Sequence, residues 1–334
     1  MLGIDVSKKT LVCTLLAPDT QKILWRKEVE NSEAGIATLS ANVPAASPWI
    51  LEPTGRYSTP VAKSAQAVGR DVRLAPSREA KAFLQSLPHR AKTDKIDSHG
   101  LAVFGCSRVL PKYPVKEASV ETLDQLLSAR KLLAKSVTKL HQQQQELPEA
   151  APYLQVALAA LSAQVTALDK QIASLCQTTP AFASVKRLQS VPGIGPVTSA
   201  AVTSRLAAKG FAHPDAFVAY CGLDLRVADS GEKRGKRTVS KRGDAELRRL
   251  LYLAAQSNLR CKSSPFKDQY ERERAKGLSS TAALVAVARK LAKVCWSLHK
   301  HGATYEESRV TVQGKSPQNT ASTQIFASAL DKQP

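Results

Sequence analysis

The chain has 334 residues, enough for two or three domains and a sizeable core. Lys and Arg outnumber Asp and Glu 48 to 28, and the resulting formal charge of +20 favours a polyanionic partner, with nucleic acid the first candidate. Cys13, Cys106, Cys176, Cys221, Cys261 and Cys295 form no CxxC pair, which argues against zinc and a disulfide framework and fits buried free thiols in a reducing compartment. Asp5 interrupts any leader-like apolar start, and no run of about 18 apolar residues suggests a membrane span, so the expectation is a cytoplasmic protein with no membrane partner.

Residues 1–115 read as α/β. Leu2–Val6 and Thr10–Leu16 predict a hairpin turning at Ser7-Lys8-Lys9, with Ile23–Val29 a third strand. A short helix over Glu33–Asn42 and a buried strand at Trp49–Leu51 follow. Tyr57–Val68 predicts a helix stopped by Gly69, Asp71–Ala75 a strand, Ser77 to about Leu87 a helix, and Asp94 to about Cys106 another. Three antiparallel strands and then alternating helices and strands is the order of a ribonuclease H-like fold.

Residues 116–180 change character. Leu154, Leu158, Leu161, Val165, Leu168, Ile172 and Leu175 alternate steps of four and three, a heptad seam. Leu123, Leu126, Leu133, Val137 and Leu140 repeat it less completely, and Pro148 and Pro152 break the run. The expectation is a coiled-coil helical hairpin, either folded onto its own domain or serving as a subunit contact. Residues 181–300 predict a second, mostly α-helical globular region, with Ala282–Leu298 a strongly amphipathic core helix. Residues 301–334 are polar and predict a flexible tail.

Two segments carry chemistry. In the first, Asp5 lies in a strand, Glu52 ends an apolar run and enters the turn Pro53-Thr-Gly55, and Asp94 and Asp97, at i and i+3, share one helix face. Four such carboxylates suit a hard divalent cation, Mg²⁺ or Mn²⁺, for metal-assisted phosphodiester chemistry, and they repel one another without one. The alternative is four separately solvated charges. Lys8, Lys92 and Lys95 lie close in sequence as candidate phosphate contacts. The second segment is Asp229–Asp244, where Lys233, Arg234, Lys236, Arg237, Lys241 and Arg242 supply six cations with no acid among residues 233–242. It reads as a loop contacting nucleic-acid backbone. More sharply, Ser230 or Ser240 beside such a cluster could attack phosphorus and hold the strand as a phosphoserine ester. A weaker signal is Leu188–Ser199, similar to a helix-hairpin-helix turn, in which Gly193 and Gly195 would let backbone amides meet a phosphate. A tight structural turn explains the same glycines.

Taken in order, Gly3-Ile-Asp-Val-Ser-Lys8, Glu52-Pro-Thr-Gly55, Lys92-Thr-Asp-Lys-Ile-Asp97, Val191-Pro-Gly-Ile-Gly-Pro196, Tyr220-Cys-Gly-Leu223, Ser230-Gly231 and Ser240-Lys-Arg-Gly-Asp244 resemble the insertion-sequence 110 family of transposases and the related Piv-type DNA invertases. The resemblance implies an RNase H-like, RuvC-like DEDD domain over 1–115, with Asp5, Glu52, Asp94 and Asp97 as metal ligands. It further implies a coiled-coil hairpin over 116–180 and a transposase domain over 181–300 whose catalytic serine is best matched by Ser230, with Ser240 the fallback. Glu232 stands where the family often has a second glycine. The implied partners are donor and target double-stranded DNA, a guide (bridge) RNA and further copies of the chain in a homo-dimer or homo-tetramer, acting at the bacterial nucleoid. Two other readings stay open on the residues alone. One is a RuvC-like endonuclease or junction resolvase with water as nucleophile; the other is a helix-hairpin-helix architectural protein. A tyrosine recombinase using Tyr305 near His299 and His301 is disfavoured, because no arginine set accompanies them.

Overall fold

A computed structural model describes residues 1–53, 55, 57–86, 94–226, 238–261 and 263–311, which divide into two compact units, Met1–Val115 and the chain from Lys116 onward. The first unit is mixed α/β. Its strands are β1 (Leu2–Val6), β2 (Thr10–Leu16), β3 (Ile23–Glu30), β4 (Trp49–Leu51) and β5 (Val72–Leu74). Its helices are α1 (Glu33–Asn42), α2 (Ser58–Ala67), α3 (Ser77–Ser86) and α4 (Asp94–Ser107). The strands form one sheet in the order β3-β2-β1-β4-β5, antiparallel through β1–β2–β3 and parallel through β1–β4–β5.

The alternation of strand side chains sorts the two faces of this sheet. Leu2 and Ile4 of β1 pack with Trp49 and Leu51 of β4 in one buried cluster, while Ile50 points the other way, into a cluster with Leu101 and Phe104 of α4. Gly3 shares that second face. A Cβ there would lie 2.1 Å from the carbonyl oxygen of Ser98 and 2.5 Å from the nitrogen of Ala102, so the helix can approach only because the residue is glycine. Further along α4, a Cβ on Gly105 would meet the Ile50 side chain at 2.6 Å and that of Met1 at 3.2 Å. The hydroxyls of Thr14 and Ser98 close the contact at 2.9 Å. Helix α4 therefore runs antiparallel to β1, with its first turn toward the strand's carboxyl end. The opposite edge, β3, is charged and exposed, which discourages pairing with another chain.

The second unit is helical: α5 (Ala118–Glu146), α6 (Ala151–Thr178), α7 (Ser184–Gln189), α8 (Pro196–Ala208), α9 (Pro214–Tyr220), α10 (Ala245–Asn258), α11 (Pro265–Ala275), α12 (Ser280–His301) and α13 (Glu307–Thr311). A two-stranded ribbon, β6 (Leu225–Arg226) with β7 (Thr238–Val239), lies between α9 and α10 in the chain. Helices α5 and α6 form an antiparallel hairpin, shown by Arg130 bonding to Asp169 at 3.0 Å and Gln144 to Gln155 at 2.6 Å. Every residue of the heptad seam on α6 is buried or half-buried. The open end of the hairpin merges with the core: Val120, Leu123, Leu127, Ile172 and Cys176 join Phe182, Leu188, Phe217, Leu251 and Leu291. Near its turn, Tyr153 and Val156 stay 83% and 74% exposed. By length and composition Pro148–Thr178 is apolar enough to cross a bilayer, contrary to the expectation that no such segment exists. Its apolar seam is turned onto α5.

Helix α12 is the central element of this core. Ser279 caps its start, accepting from the N–H of Ala282, and Gly302 ends it in the left-handed conformation at φ 65°. Within residues 302–311 the Tyr305 ring stacks on Phe266 at 6.4 Å and α13 follows, while the rest of the expected tail lies outside the described residues. Cys13, Cys176, Cys221 and Cys295 are buried free thiols; burial raises the pKa of Cys13 and Cys295 to about 12, which suppresses thiolate chemistry.

Candidate active site

The sheet and α4 bring the acidic residues of the first unit to one edge. The register pairs Ile4 with Leu51, so Asp5 and Glu52 follow at the carboxyl ends of neighbouring parallel strands. By alternation both fall on the face that bears Gly3 and Ile50, the face covered by α4. Asp94 and Asp97 occupy the first turn of that helix, ahead of Ser98, which sits over Gly3. Asp5, Glu52 and Asp97 are each half-buried. Among the described residues, which exclude the side chain of Asp94, no three His, Cys, Asp or Glu side chains gather into a ready-made metal cluster. The donor set itself is what a hard divalent cation takes: carboxylate oxygens only, with no sulfur or imidazole among them. Lys8 is exposed nearby in sequence, Lys92 lies outside the described residues, and so does the side chain of Lys95.

In the second unit, the serine-bearing segment is tied at both ends. Leu225 pairs with Val239 and Arg226 with Thr238, so the two residues that flank positions 227–237 in the chain are neighbours. Ser230, Lys233, Arg234, Lys236 and Arg237 lie outside the described residues. Ser240, Lys241 and Arg242 lie within them. Ser240 is buried: its hydroxyl donates to the Asp224 carboxylate, its N–H donates to the Asp224 carbonyl at 2.8 Å, and its Oγ accepts from the Arg242 N–H at 3.2 Å. Lys241 takes an uncommon left-handed backbone at φ 54°, and both it and Arg242 are exposed.

Two motifs distant in sequence dock here. The Lys241 N–H donates to the Gly222 carbonyl at 3.2 Å and that of Asp244 to the Tyr220 carbonyl at 2.8 Å, so Tyr220–Leu223 and Ser240–Asp244 form one turn-on-turn contact. A Cβ on Gly243 would lie 2.2 Å from the Tyr220 oxygen, which explains the glycine. Asp244 then caps α10, accepting from the N–H groups of Glu246 and Leu247, and pairs with Arg205 at 3.0 Å. Arg205 also pairs with Asp124, which Lys116 holds at 2.9 Å, so ion pairs tie α5, α8 and the start of α10 together. Asp224 and Asp124 carry no motif in the sequence; their roles come only from what the fold sets beside them.

The glycine-rich turn before α8 divides into two cases. Gly193 has φ +81°, and a Cβ there would sit 2.4 Å from both the Ala254 carbonyl oxygen and the Asn258 amide nitrogen. Packing against α10 accounts for it. Gly195 is exposed at the start of α8 and a Cβ would meet nothing within 4 Å. The residues of the disfavoured tyrosine reading are committed elsewhere. Burial and then Glu307 push the Tyr305 phenol up to about 12, and His299 bonds Ser184 at 2.8 Å, its pKa lowered by burial, Arg187 and Lys300.

The sequence matches two family profiles: residues 2–150 match a transposase profile of the IS110 DEDD type, and residues 185–271 match the transposase IS116/IS110/IS902 family. The pilin gene-inverting protein of Moraxella bovis is 25% identical over 317 residues, covering 92% of this chain and 97% of that protein. A probable family 20 transposase of Pseudomonas aeruginosa is 29% identical over 151 residues, 44% of each chain. The insertion element IS110 43.6 kDa protein of Streptomyces coelicolor is 31% identical over 157 residues, 46% of this chain and 38% of its own.

Proposed function

Because this chain carries the two domains of the IS110 family of transposases and DNA invertases, we propose that it exchanges DNA strands through an acidic metal site and a serine ester. The observation that carries the reading is the acidic edge. Asp5 and Glu52 end adjacent parallel strands on the face covered by α4, whose first turn bears Asp94 and Asp97. The strand order and directions of this sheet are consistent with an RNase H-like, RuvC-like domain. The four carboxylates would hold Mg²⁺ or Mn²⁺, which when bound supplies charge neutralisation at a phosphate.

The chain's own residues account for the rest. The Ser230 hydroxyl gives up its proton and Oγ bonds to phosphorus as the bond to the leaving sugar oxygen breaks; that oxygen ends protonated. A free hydroxyl of the second strand then attacks, the P–Oγ bond breaks and the serine regains a proton. Each step exchanges one phosphate ester for another, so rejoining needs no ATP. Lys233, Arg234, Lys236, Arg237, Lys241 and Arg242 hold backbone phosphates, with the exposed turn at Gly195 a further contact. Ser230 is favoured over Ser240 because the Ser240 hydroxyl is buried and already engaged by Asp224. Delegating sequence choice to a paired guide RNA suits a protein with a formal charge of +20, which can hold nucleic-acid backbone without reading bases. Assembly as a dimer or tetramer is supported by the apolar side chains exposed near the hairpin turn.

The test of the acidic edge is DNA cleavage against divalent cation. Asp5→Asn and Asp97→Asn each lower the metal-dependent rate by at least about 100-fold while the protein stays folded. Unchanged cleavage in both variants would remove the acidic edge from the mechanism.

A further inference from the structure

The β6–β7 ribbon forms one wall of a cleft of about 840 Å³ whose other walls are α11 and α12. Leu225 and Val239 line it from the ribbon. Five cations, Arg272, Lys276, Arg289, Lys290 and Lys293, line it against a single acid, Glu273. Lys276 pairs with Glu273 at 3.0 Å and Lys293 with Asp215 at 2.7 Å. Arg272 and Arg289 have no ion pair among the described residues. The Nε of Arg289 and the Oε1 of Gln269 are buried there without a hydrogen-bond partner among the described residues. Burial and the nearby Arg272 also hold the Lys290 ammonium below its usual pKa. Cations crowded this way are unfavourable alone and are relieved by an anion that reaches several of them at once.

The cleft's position says which anion. The Leu225–Val239 pair that lines it is the last but one before the ribbon opens into residues 227–237, the segment containing Ser230. Ser230 follows Arg226 of the ribbon by four positions in the chain, which keeps a strand reacting at Ser230 within about 14 Å of the ribbon end. We propose that the cleft seats the DNA backbone adjoining the scissile phosphate, with Arg272, Arg289 and Lys290 contacting successive phosphates; this rests on the reading of Ser230 as nucleophile.

The experiment uses the full chain and a labelled random-sequence DNA duplex, with affinity measured by anisotropy across a salt series. Combined Arg272→Gln, Arg289→Gln and Lys290→Gln should weaken binding at least about 10-fold near ~0.1 M salt and make the salt slope shallower by about 2 to 3. Arg272→Gln alone, at an exposed site, keeps the test open if the triple variant fails to fold, and should make the slope shallower by about 1. Unchanged affinity and slope in the variants overturn the proposal, as does a loss confined to single-stranded RNA measured in parallel. A serine-linked DNA adduct that forms normally beside an unchanged slope sinks the cleft and leaves the serine. A shallower slope with no adduct in the parent chain overturns the placement beside the scissile phosphate and, with it, the serine reading.

Discussion

Gly193 and Gly195 look alike in the sequence and do different work in the fold. Gly193 needs a left-handed backbone and lies against the Ala254 carbonyl, so Gly193→Ala adds both backbone strain and overpacking. It should destabilise the protein by about 2–4 kcal/mol, read as a lowered denaturation midpoint. Gly195→Ala meets open space and should change stability by less than about 0.5 kcal/mol. If the exposed turn approaches a phosphate, the added methyl weakens DNA binding with stability intact, and a binding titration on the same variant separates the two effects. The sequence contained the signal for a tight turn but not for its neighbours, because Ala254 and Asn258 reach Gly193 only through the packing of α10. Ser240 shows the same limit: a serine beside cations reads as a candidate nucleophile until Asp224, sixteen positions upstream, is seen to hold its hydroxyl.

At the scale of elements, the strands and helices of the first unit were legible to within a residue or two, because alternation, caps and glycine stops agree locally. The heptad seam likewise marked the buried side of α6. What periodicity could not reveal is that the open end of the hairpin is core, since that depends on α7, α8 and α10 converging on it. Lys131 of α5 fixes the hairpin to Glu246 of α10 at 2.7 Å, and Arg249 binds the same carboxylate at 2.6 Å. Burial alone would raise the Glu246 pKa, but the bonds to Arg249 and Lys131 overcome it and hold the group at about 2 against an ordinary 4.5. With the folded value depressed, the contribution to stability is present above about pH 4.5 and is lost as pH falls toward about 2. Glu246→Gln should therefore lower the urea midpoint at neutral pH, and the midpoints of parent and variant should converge across that acid window. Parallel curves at all pH values would show that the bridge adds nothing to the fold.

For the molecule as a whole, the two units divide the proposed chemistry, with carboxylates in one and the serine segment in the other. The acidic edge was readable because strand ends and a helix turn are local features; that Asp5 and Glu52 are neighbours follows only from the parallel pairing of β1 with β4. The sequence could not reveal the α11–α12 cleft, whose cations are scattered through two amphipathic helices and resemble solvated faces one residue at a time. If assembly uses the hairpin turn, where Val156 is 74% exposed, Val156→Glu should lower the oligomeric state by light scattering and leave the thermal midpoint within about 2 °C. An unchanged mass would move the interface elsewhere. A covalent link between protein and DNA is what separates serine-mediated exchange from hydrolysis by water. Incubating the full chain and its co-purified RNA with labelled DNA and Mg²⁺, followed by denaturing gel analysis, should give a protein–DNA adduct that Ser230→Ala abolishes and Ser240→Ala, if folded, retains. Cleaved DNA with free ends and no adduct, or an adduct that survives Ser230→Ala, would contradict exchange through Ser230.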